Sequence, residues 1–211
     1  MAYGVAEEHE VLSQRERNKQ RTRRALESSA LDLFATKGFD CTTIEDICER
    51  AAVSPRTFFR YFAGKEAVIV EQWTDRPDTY RAAVLSRPAG EPLLIALREA
   101  YADFVSREED GARRRMFLRN RVIHLTPSLR GLVEDRVGAK WRAAVADAIA
   151  VRLGAPGPGP DHELMADVVM TIIGQATAAW VMRGENVPPE DLGRQEFDRY
   201  TVALRLLLAD S

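Results

Sequence analysis

The chain is poor in the residues that most enzymes and secreted proteins depend on. Its 211 residues include only two cysteines and three histidines. Cys41 and Cys48 cannot supply the framework of a disulfide-stapled domain. Cys48 falls where a short helix needs a small core residue, and Cys41 lies in the turn before it, where it is expected to be open to solvent. The plain reading of both is a small hydrophobe rather than a redox switch. His9, His124 and His162 are too far apart in sequence for metal-ligand spacing. A glycine-rich phosphate loop is missing, since the one glycine-dense run, GAPGPGP at 154–160, is interleaved with proline and follows no strand. A nucleophile elbow is missing as well. These absences argue against an enzyme, and no metal or cofactor is expected. Long hydrophobic runs are also lacking. The longest uncharged stretch, 168–182, contains Thr171, Gly174, Gln175 and Thr177 and is too short to span a bilayer. Residues 1–12 are polar and acidic, unlike a signal peptide. A cytoplasmic protein without a membrane partner is expected.

Strand-like alternation is absent too, and the apolar residues recur at helical spacing almost throughout. A composition of 45% hydrophobic and 29% charged residues supports a well-formed core. The formal net charge of −2 excludes indiscriminate polyanion binding, but the charge is unevenly placed. An acidic tail (Glu7, Glu8, Glu10) precedes Arg15, Arg17, Lys19, Arg21, Arg23 and Arg24, which face only Glu16. Alone, this is a solvated basic helix end; beside the motif described next, it reads as a phosphate-docking patch.

That motif is TTIEDICERAAVSPRTFFRYFAGKE, residues 42–66. Thr43 starts a short helix, with Asp46 as a capping-box partner. Ser54 N-caps a second, with Pro55 at its first position, where a missing N–H does no harm. Ala51 to Ser54 leave room only for a tight turn, so the pair reads as a helix-turn-helix. Phe58 and Phe62, four apart, point to a core, while Arg56, Thr57, Arg60 and Tyr61 are presented outward, as suits a major groove.

Further helices are predicted at 15–37, from Gly64-Lys65-Glu66 to a break at Arg76-Pro77-Asp78, and at 79–86, 92–107, 112–125, 128–153, 161–183 and 196–208, with 184–193 as a link. In 128–153, Val133, Val137, Trp141 and Val145 recur every four residues, a row that should drift around the helix so that its ends meet different partners. In 112–125, Phe117, Asn120, Arg121 and His124 share a face. Turned inward, it would suit an anionic or hydrogen-bonding ligand; turned outward, it is a solvated face, with Met116, Leu118 and Ile123 toward the core. Tyr101, Phe104, Trp141 and Trp180 are either ordinary core or the walls of a cavity. Gln175 and Thr171 lie in an apolar helix, so at least one is expected to be buried, against a ligand or a second subunit.

VSPRTFFRYFAGKE resembles the recognition-helix signature of TetR-type transcriptional regulators, and ALESSALDLFATKGFDCTTIEDICERA resembles the two helices before it. The resemblance runs from about Thr22 to Val70; the rest is similar in length and pattern. More loosely, the later helices resemble the subgroup with an acyl-CoA-like ligand-binding domain, to which the mycofactocin-system regulator belongs. The resemblance implies an all-α fold: a disordered tail (1–14), a three-helix DNA-binding domain (15–63) and a larger helical ligand-binding and dimerisation domain (64–211). It implies a homodimer through the helices at 161–183 and 196–208. It also implies binding to a pseudo-palindromic operator, and release by a small effector that is either acyl-CoA-like or aromatic. Thr43 and Ser54 would meet phosphates, Arg56 and Thr57 would read bases, Arg60 could do either, and Tyr61 and Lys65 would anchor the backbone. Tyr101, Phe104, Phe117, Arg121, His124, Trp141, Gln175 and Trp180 are the candidate effector contacts. The alternative is a ligand-binding or dimerisation module with a vestigial DNA head, against which the intact Arg56, Tyr61 and Lys65 argue. Two positions depart from the family pattern: Ala52 stands where the turn usually has glycine, and Phe59 where a phosphate-contacting tyrosine is common.

Overall fold

Local signals at the helix ends fix the start of the chain. In the computed structural model, which describes residues 13–73, 76–106 and 110–209, α1 (Gln14–Lys37) begins at a reciprocal box between Ser13 and Glu16. Most of the tail expected at 1–14 lies outside the described residues. Helix α1 ends at Gly38, beyond which the Phe39 ring sits 4.9 Å from that of Phe34. The capping box at Thr43 and Asp46 opens α2 (Ile44–Arg50), and Ser54 with Pro55 opens α3 (Pro55–Tyr61). Leu26, Leu31, Ile47, Phe58 and Phe62 are almost fully buried and make the core of this three-helix head.

The turn between α2 and α3 is a Schellman motif built on an alanine. The Val53 N–H donates to Cys48 O at 3.0 Å and the Ala52 N–H to Glu49 O at 3.1 Å. That geometry puts Ala52 at φ +52°, the only positive φ at a non-glycine among the described residues. The Cβ makes this conformation unfavourable by about 1 kcal/mol.

Helix α4 (Lys65–Val70) tightens into a 3₁₀ turn at Glu71–Trp73, and α5 (Arg76–Leu85) starts with Pro77 in its first turn. Arg76, Pro77 and Asp78, where a break was expected, instead form the first turn of α5, because proline is tolerated where no backbone N–H is needed. There follow α6 (Leu93–Ser106), α7 (Asp110–Leu125), α8 (Pro127–Val133), a π-helical turn at Glu134–Gly138, α9 (Ala139–Arg152), α10 (Pro160–Arg183) and α11 (Pro189–Ala209). α10 packs on α7, α9 and α11; α6 packs on α5 and α11; and α7 lies along α1. Among the described residues α10 is the one helix long and apolar enough to cross a membrane, and it packs here as a core helix through Ala166, Val169, Ile172, Ala176 and Trp180.

Two expectations need correction. The link at 184–193 is shorter, because α11 starts at Pro189 rather than near 196. Gly193 is helical, and a Cβ there would come 2.5 Å from the ring of Tyr101, so glycine serves the approach of α11 to α6 rather than a break. The helix expected at 128–153 is interrupted by the π turn. In a straight helix each four-residue step advances the row by about 40°. The wider turn takes up that drift, so Val133, Val137 and Trp141 all face one cavity instead of diverging.

Candidate nucleic-acid interface and effector cavity

On the head, Ser54, Arg56 and Arg60 are exposed and Thr57 and Tyr61 half-buried. The Ser54 hydroxyl accepts from the Thr57 N–H at 3.2 Å and lies 3.1 Å from the Thr57 hydroxyl, so the cap also orients Thr57. Arg56 has no ion pair or hydrogen bond from its guanidinium among the described residues. The Arg60 guanidinium lies 5.1 Å from the centre of the Tyr61 ring. Both border a cleft of about 810 Å³ whose other wall is the start of α1, with Arg15, Lys19 and Thr22. The basic patch and the end of α3 are therefore on one surface. Thr43 is exposed, and its hydroxyl accepts from the Asp46 N–H at 3.1 Å. The Asp46 carboxylate, 2.5 Å from the Lys37 Nζ and bonded by the Thr43 N–H and hydroxyl, is held down at a pKa of about 2.

Lys65 has a different environment from the one expected. Its ammonium donates to the carbonyls of Phe39 at 2.8 Å, Thr42 at 3.2 Å and Asp40 at 3.4 Å, and lies 4.5 Å from the centre of the Phe39 ring. It ties the α1–α2 turn to the start of α4, and a phosphate contact would have to draw it from these partners. Sequence reasoning passed over Phe59 as a contact. It is 54% exposed on the same face of α3 as Arg56 and Arg60, in keeping with its spacing of three from Arg56.

The larger unit holds a half-open cavity of about 660 Å³ between α6, α7, α9, α10 and the π turn. Of the expected effector contacts, Tyr101, Phe104, His124, Trp141 and Trp180 line it. Phe117 does not: it is buried behind the wall, its ring 5.2 Å from that of Trp180. Arg121 points to solvent, so the row on α7 splits, with Asn120 and His124 turned inward. Gln175 is exposed outside the cavity, and Thr171 is also exposed, at the cavity's edge. Neither is buried within the single chain, because the core stripe of α10 runs through Ile172, Ala176 and Trp180, leaving both to one side. Trp73, which is not among the expected contacts, also lines the cavity, with ring centres 6.1 Å from Trp141. Burial pushes the Tyr101 hydroxyl up to about 12, opposed by its bond with Thr177.

α7 also joins the two units. Arg119, one residue before Asn120, is buried and paired with the buried Glu27 of α1, and Arg115 lies 3.8 Å from the same carboxylate. Burial draws the Arg119 guanidinium down to about 10, with Glu27 opposing the shift.

Two family models match: bacterial regulatory proteins of the tetR family at residues 28–71, and the MftR C-terminal domain at 91–200. The chain belongs to the TetR family. It is a transcriptional regulator with a helix-turn-helix DNA-binding head. Among similar proteins, the transcriptional regulator TcmR of Streptomyces glaucescens is 42% identical over 97 residues, which cover 46% of this chain and 43% of TcmR. The match thus spans less than half of that relative. MftR of Mycobacterium tuberculosis is 29% identical over 174 residues, 81% of this chain and 85% of MftR. Among solved structures, NalD, the secondary repressor of the MexAB-OprM multidrug efflux pump in Pseudomonas aeruginosa, superposes with a TM-score of 0.61 at 17% identity, over 87% of this chain and 95% of NalD.

Proposed function

We propose that this TetR-family chain is a homodimeric, cytoplasmic repressor released from a pseudo-palindromic operator by a small molecule held in the 660 Å³ cavity. The observation that carries the reading is α7, which lines the cavity through Met116, Asn120 and His124 and grips the DNA head through Arg119 and Glu27. A ligand that moves α7 would move α1, and binding would be coupled in both directions. On the head, Arg56 and Thr57 read base edges, Arg60 and Tyr61 with the start of α1 meet phosphates, and Phe59 offers an apolar edge to a thymine methyl. The dimer forms through α10 and α11, where Leu164, Met165, Val202, Leu204 and Leu206 are exposed on one protomer. Met165 and Leu204 border an apolar groove of about 200 Å³ with Leu97 and Val168, ready for a second copy. NalD, of the same fold, is a repressor, which favours that sign of regulation.

The deciding experiment is a band shift on the gene's own upstream region. Wild type should protect an inverted repeat as a dimer. Arg56→Ala should relax preference at one position of each half-site by about 1–3 kcal/mol. Leu204→Glu should run as a folded monomer in sedimentation and bind poorly, since each half-site loses the tethering gain. Failure to bind any upstream sequence would favour the ligand-binding module with a vestigial head.

A further inference from the structure

We infer that the cavity is built for a flat, uncharged, multi-ring compound carrying a hydrogen-bond-accepting oxygen, and not for an acyl-CoA. The inference rests on the effector reading above and specifies its ligand. Three features of the cavity carry it.

The first is the walls. Trp73, Phe104 and Trp141 form one aromatic cluster, with ring centres of Phe104 and Trp141 5.8 Å apart, and Tyr101 and Trp180 line the cavity as well. A wall so rich in aromatic rings rewards a planar partner, face or edge, more than a flexible chain, which would lose rotamer freedom on entering.

The second is a lone amide. Asn120 is only 8% exposed, and among the described residues its side chain has no hydrogen-bond partner. Its amide is not shut in the protein either, so its remaining access is to the cavity it lines. A buried amide without a partner is costly, and a carbonyl or phenol oxygen on the ligand would satisfy it. His124 lies one turn further along α7 and lines the same wall.

The third is charge. The charged side chains at the edge are Arg130, Arg142, Glu134 and Asp167, two of each sign. Arg142 donates to Asp167 across to α10 and to Glu134 of the π turn at 3.1 Å, so it is already neutralised. Among the described residues Arg130 is the one lining cation without an ion pair, and it cannot balance the several phosphate charges of a coenzyme A headgroup.

All three tryptophans of the chain line this cavity, so intrinsic fluorescence reports its occupancy. The full-length protein is titrated with 1,8-dihydroxyanthraquinone, with anthracene as a ring system of the same shape lacking oxygen, and with palmitoyl-CoA. The quinone should quench fluorescence saturably, raise Tm, and bind about 10-fold tighter than anthracene, the worth of one good hydrogen bond. Asn120→Leu, similar in size without the amide, should bring that ratio close to one while anthracene binding is kept. Asn120→Asp, which loses the N–H donor, should lower it likewise, and circular dichroism checks that both fold. Tighter binding of palmitoyl-CoA, no saturable quenching by the quinone, or a ratio unchanged in both variants would overturn the inference. A parallel band shift separates the two readings: a quinone that binds by these criteria but leaves the operator complex intact upholds the ligand class and refutes its role as effector.

Discussion

The head and the effector unit of this chain hold their chemistry in opposite ways. The head carries it on exposed side chains, each set by a cap or a turn within a few residues: Ser54 positions Thr57, Thr43 pairs with Asp46, and the Cys48–Val53 turn aims α3. The effector unit carries it on buried side chains drawn from α6, α7, α9 and α10, none of which is placed by its own neighbours in sequence. A site made by local rules is robust to changes elsewhere but easily altered in place. A site made by packing responds to changes anywhere around it, which is what a ligand-sensing unit requires.

The largest test of this contrast lies at the seam. Glu27→Ala strands the buried Arg119 guanidinium, whose partner it removes, and should destabilise the fold by about 3–5 kcal/mol in urea unfolding. Replacing both partners, as Glu27→Leu with Arg119→Met, should restore most of that loss, because an apolar pair needs no desolvation of charge. If the seam transmits the ligand signal, the double variant should still bind operator but respond less to effector. A full response from the double variant would show that the two regions communicate by another route.

The same contrast explains what was readable in the sequence. Every helix of the head was legible, because capping residues, Pro55 and the Phe58/Phe62 spacing are local signals. In the effector unit the helices were legible but their orientation was not. Phe117, Asn120, Arg121 and His124 form a single row in sequence, yet the tilt of α7 turns only two of them into the cavity. The π turn left no trace, since Val133, Val137 and Trp141 are equally consistent with a continuous helix. Gly193 falls at the end of the link expected at 184–193, and only the ring of Tyr101 gives it a packing reason inside α11. Lys65 was read from its place beside the recognition helix, whereas three carbonyls from a turn more than twenty residues earlier hold it.

Lys65 supplies the second test. Lys65→Ala should lower stability by about 1–2 kcal/mol through loss of charge-assisted bonds to the α1–α2 turn, visible as a lower Tm. The salt dependence of operator binding should keep its slope. A slope shallower by about one unit would instead return Lys65 to the phosphate backbone.

A third test uses acid. Asp46 has an ordinary pKa of 3.8 and about 2 in the fold, chiefly through its bond with Lys37 and then through Thr43. A depressed carboxylate pKa stabilises the fold above the unfolded value and stops doing so as pH falls through the folded one. The Tm advantage of wild type over Asp46→Asn should therefore be full above about pH 4 and shrink toward pH 2. A difference that is constant over that window would show that Asp46 acts only as a neutral cap.

The smallest expected effect is at Ala52, where the head breaks its own local rules. The Schellman turn requires a left-handed residue, and φ +52° places a Cβ where it crowds the following carbonyl. Glycine would remove that strain, but it would also widen the unfolded ensemble and return about 0.4–1 kcal/mol of the gain. The balance should be a stabilisation of about 0.5 kcal/mol or less for Ala52→Gly. The same change in the middle of α1 or α10 should destabilise by about 1 kcal/mol, so the sign of the effect is the diagnostic. Because Ala52 is exposed and lies in the turn rather than on α3, operator binding should change only if the strained turn sets the angle of α3. A gain in Tm with unchanged operator affinity would mark the alanine as tolerated strain. A gain in Tm with weaker binding would mark it as a device that holds the recognition helix in register.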